Sequence, residues 1–194
     1  MSSYYDAEAP VYDESRGGLP RAQAAAAAVA SLVPSRGVAV DVAGGTGIVS
    51  LELARIGFSV LVADLSMGML SIAARRLPGR VVVSSGDRLA IRTGSVDLVT
   101  TVWLLHLLPI PVADRVVAEA ARVLRPGGFL VTTLDKDLAH RPVRRTNGDH
   151  AERVTAVAGR HGLGFVGATS FTAASKWVSA TDRDPVFAIA AFRT

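Results

Sequence analysis

Apolar residues along this chain form short continuous runs, and segments with helical periodicity lie between the runs. A continuous apolar run is typical of a strand that is buried on both faces of a parallel sheet. On this basis, strands are predicted at residues 38–42, 58–63, 80–83, 96–103 and 129–134. Helices are predicted at residues 20–32, 45–56, 66–77 and, with a start at Pro111 or Asp114, up to Leu124. This alternation indicates an α/β fold with a parallel sheet, right-handed crossovers and helices on both faces.

The C-terminal pattern differs, because two extended segments follow one another with no helix between them. After a predicted helix at residues 149–161, extended stretches are predicted at 165–178 and 186–192, with a turn at 181–185. Two strands joined in this way must be antiparallel, since a parallel pair needs a long crossover. Residues 1–19 are predicted to be an irregular lead-in. No linker or repeat interrupts the pattern, so a single domain over residues 1–194 is predicted.

A glycine-rich turn joins the first strand to the next helix and predicts a ligand-binding unit. The stretch from Asp41 to Gly47 reads Asp-Val-Ala-Gly-Gly-Thr-Gly, and glycine lets the backbone approach a ligand closely because it has no Cβ atom. The start of the helix offers N–H groups to a polar or anionic group. The dinucleotide fingerprint Gly-x-Gly-x-x-Gly/Ala fails at Ser50, and the Gly-Lys-Ser/Thr of a mononucleotide loop is absent.

Composition narrows the classes of function. The 194 residues include no cysteine, which excludes thiolate metal sites and a cysteine nucleophile and fits a cytoplasmic protein. No secretory signal or membrane-length apolar segment is evident. The net charge of +4 comes mainly from scattered arginines, so nucleic acid is not the expected partner. The one tight basic cluster, Arg141, Arg144 and Arg145, is predicted to be a solvated face or else a clamp for an anionic substrate group.

Informative side chains stand where the predicted parallel strands end. In a doubly wound sheet, ligands bind beyond the carboxyl ends of the strands. The residues at or just after the ends of the five strands are, in turn, Asp41, Asp64, Asp87, Trp103 with His106, and Asp135. A carboxylate at the end of the second strand can accept two hydrogen bonds from a ribose diol. An acid after the third strand can reach an exocyclic amine, and the two features together describe an adenosine pocket.

Four motifs, taken in order, make the chain resemble the class I S-adenosylmethionine-dependent methyltransferases, in particular their small-molecule, type 11-like branch. The motifs are residues 40–47, residues 64–70, Gly86-Asp87 followed by residues 94–99, and residues 121–128. The start of the chain, with Tyr5-Asp6 and residues 12–16, also resembles the lead-in of that branch, which lies over the cofactor. The resemblance implies a Rossmann-like fold with a seven-stranded sheet in the order 3-2-1-4-5-7-6 and an antiparallel last strand. Residues 1–34 would be a lid segment and helix, and residues 35–194 the core.

The resemblance also implies S-adenosylmethionine as the cofactor and assigns residues to it. The implied cofactor-binding residues come from the lead-in and from the strand ends: Tyr12, Arg16, Asp41, Ala43, Gly45, Gly47, Asp64, Leu65, Met69, Asp87, Arg88, Val102 and Trp103. Asp64 would hold the ribose hydroxyls, Leu65 and Met69 would pack on adenine, and Asp87 with Arg88 would address the adenine edge. The glycine turn would border the methionine part with support from Asp41, while Val102 and Trp103 would line the substrate side.

Ala43 departs from the family pattern, which has a glycine at this first position of the turn. A negative φ is expected at Ala43, because a positive φ would cost an alanine about 1 kcal/mol or more. Cofactor binding is therefore expected to be weakened but not lost.

Candidate acid–base groups are sparse. His106 and His140 are the candidate general bases, although a base is needed only if the acceptor must lose a proton. Asp135 and Asp137 resemble part of a magnesium site, but no third ligand is evident and no metal is predicted.

The predicted function is methyl transfer from S-adenosylmethionine to a small-molecule acceptor by a monomer or homodimer that does not bind membranes. One alternative is a scaffold that binds the cofactor without catalysis. A second alternative is a nucleic-acid methyltransferase, although the Asp/Asn-Pro-Pro-aromatic signature for amino groups is missing.

Overall fold

Seven strands of the computed structural model form one sheet in the order β3-β2-β1-β4-β5-β7-β6. The structure describes residues 2–136, 148–173 and 184–194. The strands are β1 (Val38–Val42), β2 (Ser59–Asp64), β3 (Val81–Val83), β4 (Val96–Thr101), β5 (Leu124–Leu134), β6 (Gly164–Thr172) and β7 (Val186–Arg193). Strands β1 to β5 are parallel to one another, and β7 is antiparallel to both β5 and β6. The predicted strand order and the antiparallel last strand are therefore confirmed.

Seven helices connect or flank these strands in the described part of the chain. They are α1 (Ser2–Glu8), α2 (Tyr12–Ser15), α3 (Gly18–Leu32), α4 (Ile48–Arg55), α5 (Met67–Arg76), α6 (Ile110–Val123) and α7 (Ala151–Arg160), with short 3-10 turns at Ala9–Val11 and Leu105–Leu107. None of the helices that the structure describes is long and apolar enough to cross a membrane.

Neighbouring residues of the central strands pack into two different hydrophobic cores. Ala39 and Leu98 belong to the core that α3 and α4 cover, whereas Val40 and Val99 belong to the core that α6 and α7 cover. Because both faces of these strands are buried, successive positions must all be apolar. This double burial explains why the strands read as continuous apolar runs in the sequence.

The N-terminal segment is helical, so the prediction of an irregular lead-in was wrong. Residues 2–15 form α1, a 3-10 turn and α2 instead. Polar contacts with the core hold these short helices: the Asp6 carboxylate accepts from Ser66 Oγ (2.6 Å) and from the backbone N–H of Gly68 (2.8 Å). Helices this short are marginal alone and depend on tertiary contacts, which periodicity within residues 1–19 does not reveal.

Two boundaries moved for identifiable reasons. The helix predicted from residue 45 begins only at Ile48, because Gly45 and Gly47 have positive φ angles of 57° and 72°. Strand β5 begins at Leu124, earlier than predicted, because Leu124 pairs with Val96 before a shift in register. The predicted strand at 165–178 is present as Gly164–Thr172, and residues 174–178 lie outside the described residues.

Candidate active site

A cavity of about 200 Å³ lies at the carboxyl ends of β1 to β4, where the adenosine pocket was predicted, and its walls are mostly apolar. Lead-in residues, the glycine turn, the strand ends and the start of α6 all contribute to it. The predicted cofactor residues that line it are Tyr12, Asp41, Ala43, Gly45, Asp64, Leu65, Met69, Asp87, Val102 and Trp103. The fold thus brings ten residues from distant parts of the sequence to one place.

Three of the predicted cofactor residues are not among those lining the cavity. Arg88 is exposed and forms an isolated bridge with Ser85. Gly47 lies behind the turn, where an added Cβ would approach the Ala73 Cβ to 3.1 Å. Arg16 lies beside the cavity residue Tyr12, with its guanidinium carbon 5.5 Å from the centre of the tyrosine ring.

Ala43 has a φ angle of +55°, so the expectation of a negative φ was wrong. Its N–H donates to the carbonyl oxygen of Ala63 at the end of β2 (2.7 Å). The neighbouring Gly44 is packed so tightly that an added Cβ would lie 2.9 Å from both Asp41 Oδ2 and Val62 Cγ1. This packing fixes the path of the turn, and the alanine accepts about 1–2 kcal/mol of left-handed strain to follow it.

The Asp64 carboxylate holds the turn while facing the cavity. Its Oδ2 accepts from the N–H of Gly45 (2.9 Å), and its Oδ1 accepts from the N–H of Ser66 (2.8 Å). Each carboxylate oxygen has two acceptor positions, so each retains one for a further donor such as a ribose hydroxyl.

Asp41 is fully buried beneath the turn and is held by two hydroxyl donors. Ser50 Oγ donates to Oδ2 (2.5 Å) and Thr100 Oγ1 donates to Oδ1 (2.7 Å). Loss of hydration on burial raises the pKa of the Asp41 carboxyl, and these two hydrogen bonds partly oppose the rise. Ser50, the residue that breaks the dinucleotide fingerprint, therefore anchors the acid that supports the turn.

Asp87 lines the cavity with its side chain fixed from two directions. Ser85 Oγ donates to Oδ1 (2.5 Å), and the Arg115 guanidinium donates to Oδ2 (3.0 Å). The Ser85 hydrogen bond and then the Arg115 contact lower the pKa of Asp87 below its ordinary value. The side chain therefore stays an acceptor near neutral pH.

Trp103 forms the opposite end of the cavity and also has positive φ, at +59°. Its backbone N–H donates to Thr133 Oγ1 on β5 (2.8 Å). Its ring packs edge-on against Phe171 and Phe187, with ring centres 5.8 and 5.5 Å away. These contacts hold the indole as a rigid wall.

Tyr5 and Tyr12 of the lead-in cover the cavity, and Asp13 ties the lead-in down beside them. Asp13 Oδ1 accepts from Thr46 Oγ1 in the glycine turn, and Oδ2 accepts from the Arg76 guanidinium, each at 2.5 Å. Burial raises the pKa of Tyr12, so its hydroxyl stays protonated at neutral pH. Asp13 and Arg76 were not predicted, because nothing in the sequence shows that residues 63 positions apart meet.

His106, one of the two predicted general bases, is not among the residues that line the cavity. His106 is 2% exposed, and its Nε2 lies 2.8 Å from Lys136 Nζ. His140 lies outside the described residues, as does the cluster of Arg141, Arg144 and Arg145. Across the described ranges, no group of three or more metal-binding side chains occurs.

Sequence reasoning missed Val112 and Val116 of the apolar lining, which also includes Leu104, Leu107 and Leu108. The apolar run at residues 104–108 continues past the end of β4 and was a usable signal for part of it. Val112 and Val116 have the same spacing as the buried core positions of α6, so no pattern distinguishes them from core residues.

The cavity fits the adenosyl cofactor that the fold family uses. It offers carboxylate acceptors at Asp64, an apolar wall at Leu65 and Met69, and a side-chain-free backbone at Gly45. Asp64 would hold a ribose, and the wall would hold an adenine ring. The fit rests on the donor and acceptor chemistry of these residues.

Comparisons with known proteins agree with this fold and site. A family model described as "Methyltransferase domain" matches residues 40–132. A demethylmenaquinone methyltransferase of Parafrankia sp. is 32% identical over 186 residues, which span 82% of this chain and 72% of that protein. The chain belongs to the class I S-adenosylmethionine-dependent methyltransferases.

Two further similarities are narrower, because one covers a shorter stretch of sequence and the other concerns the fold alone. A ubiquinone biosynthesis O-methyltransferase of Cupriavidus pinatubonensis is 37% identical over 106 residues, which span 51% of this chain and 42% of that protein. The CcbJ methyltransferase of Streptomyces caelestis has a TM-score of 0.74 at 21% identity and covers 100% of this chain and 98% of its own. At that identity the structural likeness shows the fold alone.

Proposed function

We propose that this protein transfers a methyl group from S-adenosylmethionine to a small, largely apolar acceptor. The observation that carries the proposal is one mostly apolar cavity that joins the Asp64 carboxylate and the glycine turn to the aromatic wall at Trp103. Relatives whose names place them in quinone biosynthesis support an aromatic acceptor. The restricted volume of the cavity disfavours a nucleic acid strand.

The residues divide into a cofactor half and an acceptor half. In the proposal, Asp64 binds the ribose hydroxyls, Leu65 and Met69 hold adenine, and Asp87 addresses its edge. Ala43 and Gly45 border the methionine part, and Asp41 supports them from below. Tyr12, Val102 and Trp103 stand where the acceptor meets the cofactor.

Catalysis in this proposal depends on orientation and exclusion of water. The bound cofactor supplies a methyl group on a sulfonium, which is a good leaving group. Tyr5 and Tyr12 cover the cavity, and Trp103 fixes one wall, so an acceptor is held in one direction. Correct orientation of reactants can contribute about 7–11 kcal/mol. His106 is turned towards Lys136, and the proposal assigns it no role as a base.

The proposal is tested first by calorimetric titration with S-adenosylmethionine. Asp64→Ala is expected to weaken binding more than about tenfold, or ~1.4 kcal/mol, because two ribose hydrogen bonds to a charged acceptor are lost. Asp97→Ala is the matched control, since Asp97 also accepts from a backbone N–H, that of Val38, but lies at the amino-terminal end of β4 and does not line the cavity. Equal affinities of both variants and the wild type would contradict the ribose role.

Methyl transfer is tested with cofactor labelled in its methyl group and a pool of cell metabolites. A labelled small molecule in the organic extract is the expected result. Binding without labelled product from any extract would favour the alternative of a cofactor-binding scaffold. No binding at millimolar cofactor would refute both.

A further inference from the structure

Two arginines form a cluster with two aromatic residues at one end of the cavity. The guanidinium carbon of Arg21 lies 3.8 Å from the ring centre of Trp103, and its Nη1 donates to the carbonyl oxygen of Arg16 (2.8 Å). The guanidinium of Arg16 in turn lies over the ring of Tyr12. Because Tyr12 and Trp103 line the cavity, this arginine–aromatic cluster (Tyr12, Arg16, Arg21, Trp103) borders the proposed active site.

The positive charge of the cluster has no acidic partner within the described residues. Arg21 is only 9% exposed, yet no ion pair involves Arg21 or Arg16 in that part of the chain. More exposed arginines, such as Arg115 and Arg125, do pair with carboxylates. Burial lowers the pKa of Arg21 to about 10, so it remains a cation at neutral pH. Burying an unpaired cation is costly, and a structural role alone does not require it.

The cluster is also rich in hydrogen-bond donors. The Nε atoms of Arg16 and Arg21 and the indole Nε1 of Trp103 are buried without a hydrogen-bond partner among the described residues. A buried donor without an acceptor typically costs about 1–3 kcal/mol. Three such donors in one cluster, two of them on cations, are complementary to a group that carries several acceptors and a negative charge.

The position of the cluster points to the acceptor and not to the adenosine. Trp103 follows β4, and the Arg21 guanidinium also lies 5.2 Å from the ring centre of Phe187 at the start of β7. Asp64 is the last residue of β2 and Asp87 follows β3, and these two strands lie on the other side of β1 in the sheet. The cations and the adenosine-binding acids therefore stand in opposite halves of the site.

We propose that Arg21, assisted by Arg16, binds a carboxylate group of the methyl acceptor. This inference rests on the proposed function, which defines the acceptor half. Stacking on Trp103 uses the flat face of the guanidinium and leaves its N–H edge for a ligand. A carboxylate matches that edge with two parallel hydrogen bonds. The acceptor is then a carboxylic acid whose apolar part packs against the aromatic wall.

Arg36 provides a matched control for the purely structural role of Arg21. Its guanidinium also lies over an aromatic ring, that of Phe58 at 4.9 Å, and donates to a backbone carbonyl, that of Val33 at 2.6 Å. Arg36 is exposed and is not part of the cavity. Arg21→Gln and Arg36→Gln thus remove the same kinds of contact, but only the first removes the proposed carboxylate site.

The experiment uses the full chain with Trp177→Phe, which leaves Trp103 as the only tryptophan. The protein is saturated with S-adenosylhomocysteine, and quenching of Trp103 fluorescence is followed during titration with benzoate, phenylacetate or 2-naphthoate. The uncharged amide of each acid is titrated in parallel. The protein with Arg21 intact is expected to bind at least one acid about tenfold more tightly than the corresponding amide. About tenfold in affinity is typical for one hydrogen bond between charged partners. Arg21→Gln should abolish this preference, and both Arg21→Lys and Arg36→Gln should retain it at least in part.

The titrations also identify which molecule supplies the carboxylate. Calorimetry compares S-adenosylhomocysteine with methylthioadenosine, which lacks the amino acid part. If Arg21→Gln weakens only S-adenosylhomocysteine, the arginine serves the cofactor and the proposal is wrong. It is also wrong if no acid is preferred over its amide by the wild type, or if Arg36→Gln abolishes the preference as well. Failure of the wild type to bind S-adenosylhomocysteine would instead refute the proposed function.

Discussion

The contacts of Asp13 make a quantitative prediction about the lead-in. The Asp13 carboxylate joins α2 to Thr46 in the glycine turn and to Arg76 on α5. Arg76 also donates to the backbone carbonyl of Thr46 (2.8 Å), so the three residues form one connected set. Asp13→Ala removes both bonds at the centre of this set. The lead-in should then dock less firmly over the cavity.

The magnitude follows from the exposure of the partners. Side-chain exposures of 20% for Asp13 and 27% for Arg76 limit the ion pair to about 0.5–1 kcal/mol. The Thr46 hydroxyl bond to a charged acceptor adds about 1.5 kcal/mol. The docking free energy should therefore fall by ~2 kcal/mol. Cofactor affinity can fall by no more than the same amount, or about 30-fold, because binding is coupled only to the docked fraction.

Two measurements check this prediction. Calorimetry with S-adenosylhomocysteine should show weaker binding to Asp13→Ala, by about threefold to 30-fold. Trypsin should cut after Arg16 about tenfold faster than in the wild type, because undocking exposes that bond. Glu8→Ala is the control, since it removes a charge from the same segment, and the Glu8 side chain makes no hydrogen bond or ion pair with another described residue. Cleavage and affinity both within twofold of the wild type would show that Asp13 does not hold the lead-in.

Three further outcomes are expected. Gly45→Ala should lower the free energy of unfolding by about 1 kcal/mol, because left-handed strain of about 1–2 kcal/mol at its φ of +57° exceeds the gain of about 0.4–1 kcal/mol from a less flexible unfolded chain. Ala43→Gly, at the nearly equal φ of +55°, should raise it by a similar amount for the same reasons; urea denaturation measures both changes, and no change in either variant would contradict the strain. Gly44→Ala should cost about 1–3 kcal/mol, because its Cβ would lie 2.9 Å from Asp41 and Val62; a stability equal to the wild type would show that the turn can shift. The pKa of Asp87 is lower in the folded protein than in the unfolded chain, so the Asp87 carboxylate stabilises the fold above the unfolded pKa of about 4 and loses that effect as the pH falls through the folded pKa. Asp87→Asn should therefore be less stable than the wild type at neutral pH and equally stable in acid. A difference in stability that persists in acid would contradict this role of Asp87.

The sheet was predictable because burial on both faces leaves a strong trace in the sequence. Positions such as Val40 and Leu98 must be apolar in either core, and the acids at the strand ends mark where the apolar runs stop. The lead-in was not predictable in the same way. Its short helices are held by Asp6 and Asp13 through residues 60 or more positions away, and local periodicity carries no information about such contacts.

Ala43 shows a different limit of sequence reasoning. The expectation of a negative φ followed from the ordinary preference of alanine, and the surrounding packing overrides that preference. The N–H of Ala43 donates to the carbonyl oxygen of Ala63 on β2. The backbone of Gly44 packs closely against Asp41 and Val62, which restricts movement of the turn. A sequence can show that a residue is unusual at a position. Whether that residue adopts a strained φ angle depends on the packing of its neighbours in the fold.

Backbone strain in the described part of the chain is concentrated around the proposed active site. The three described non-glycine residues with positive φ are Ala43, Trp103 and Asp135. Ala43 and Asp135 directly follow β1 and β5, and Trp103 stands two residues after the end of β4. A left-handed residue at a strand end turns the chain sharply, and such residues persist only where their surroundings hold them. Hydrogen bonds supply that hold: the N–H of Ala43 donates to Ala63, that of Trp103 to Thr133, and that of Asp135 to Asp149. The strained turns at the ends of the central strands lower the stability of the fold. The same turns set the positions of the glycine turn and the aromatic wall on either side of the cavity.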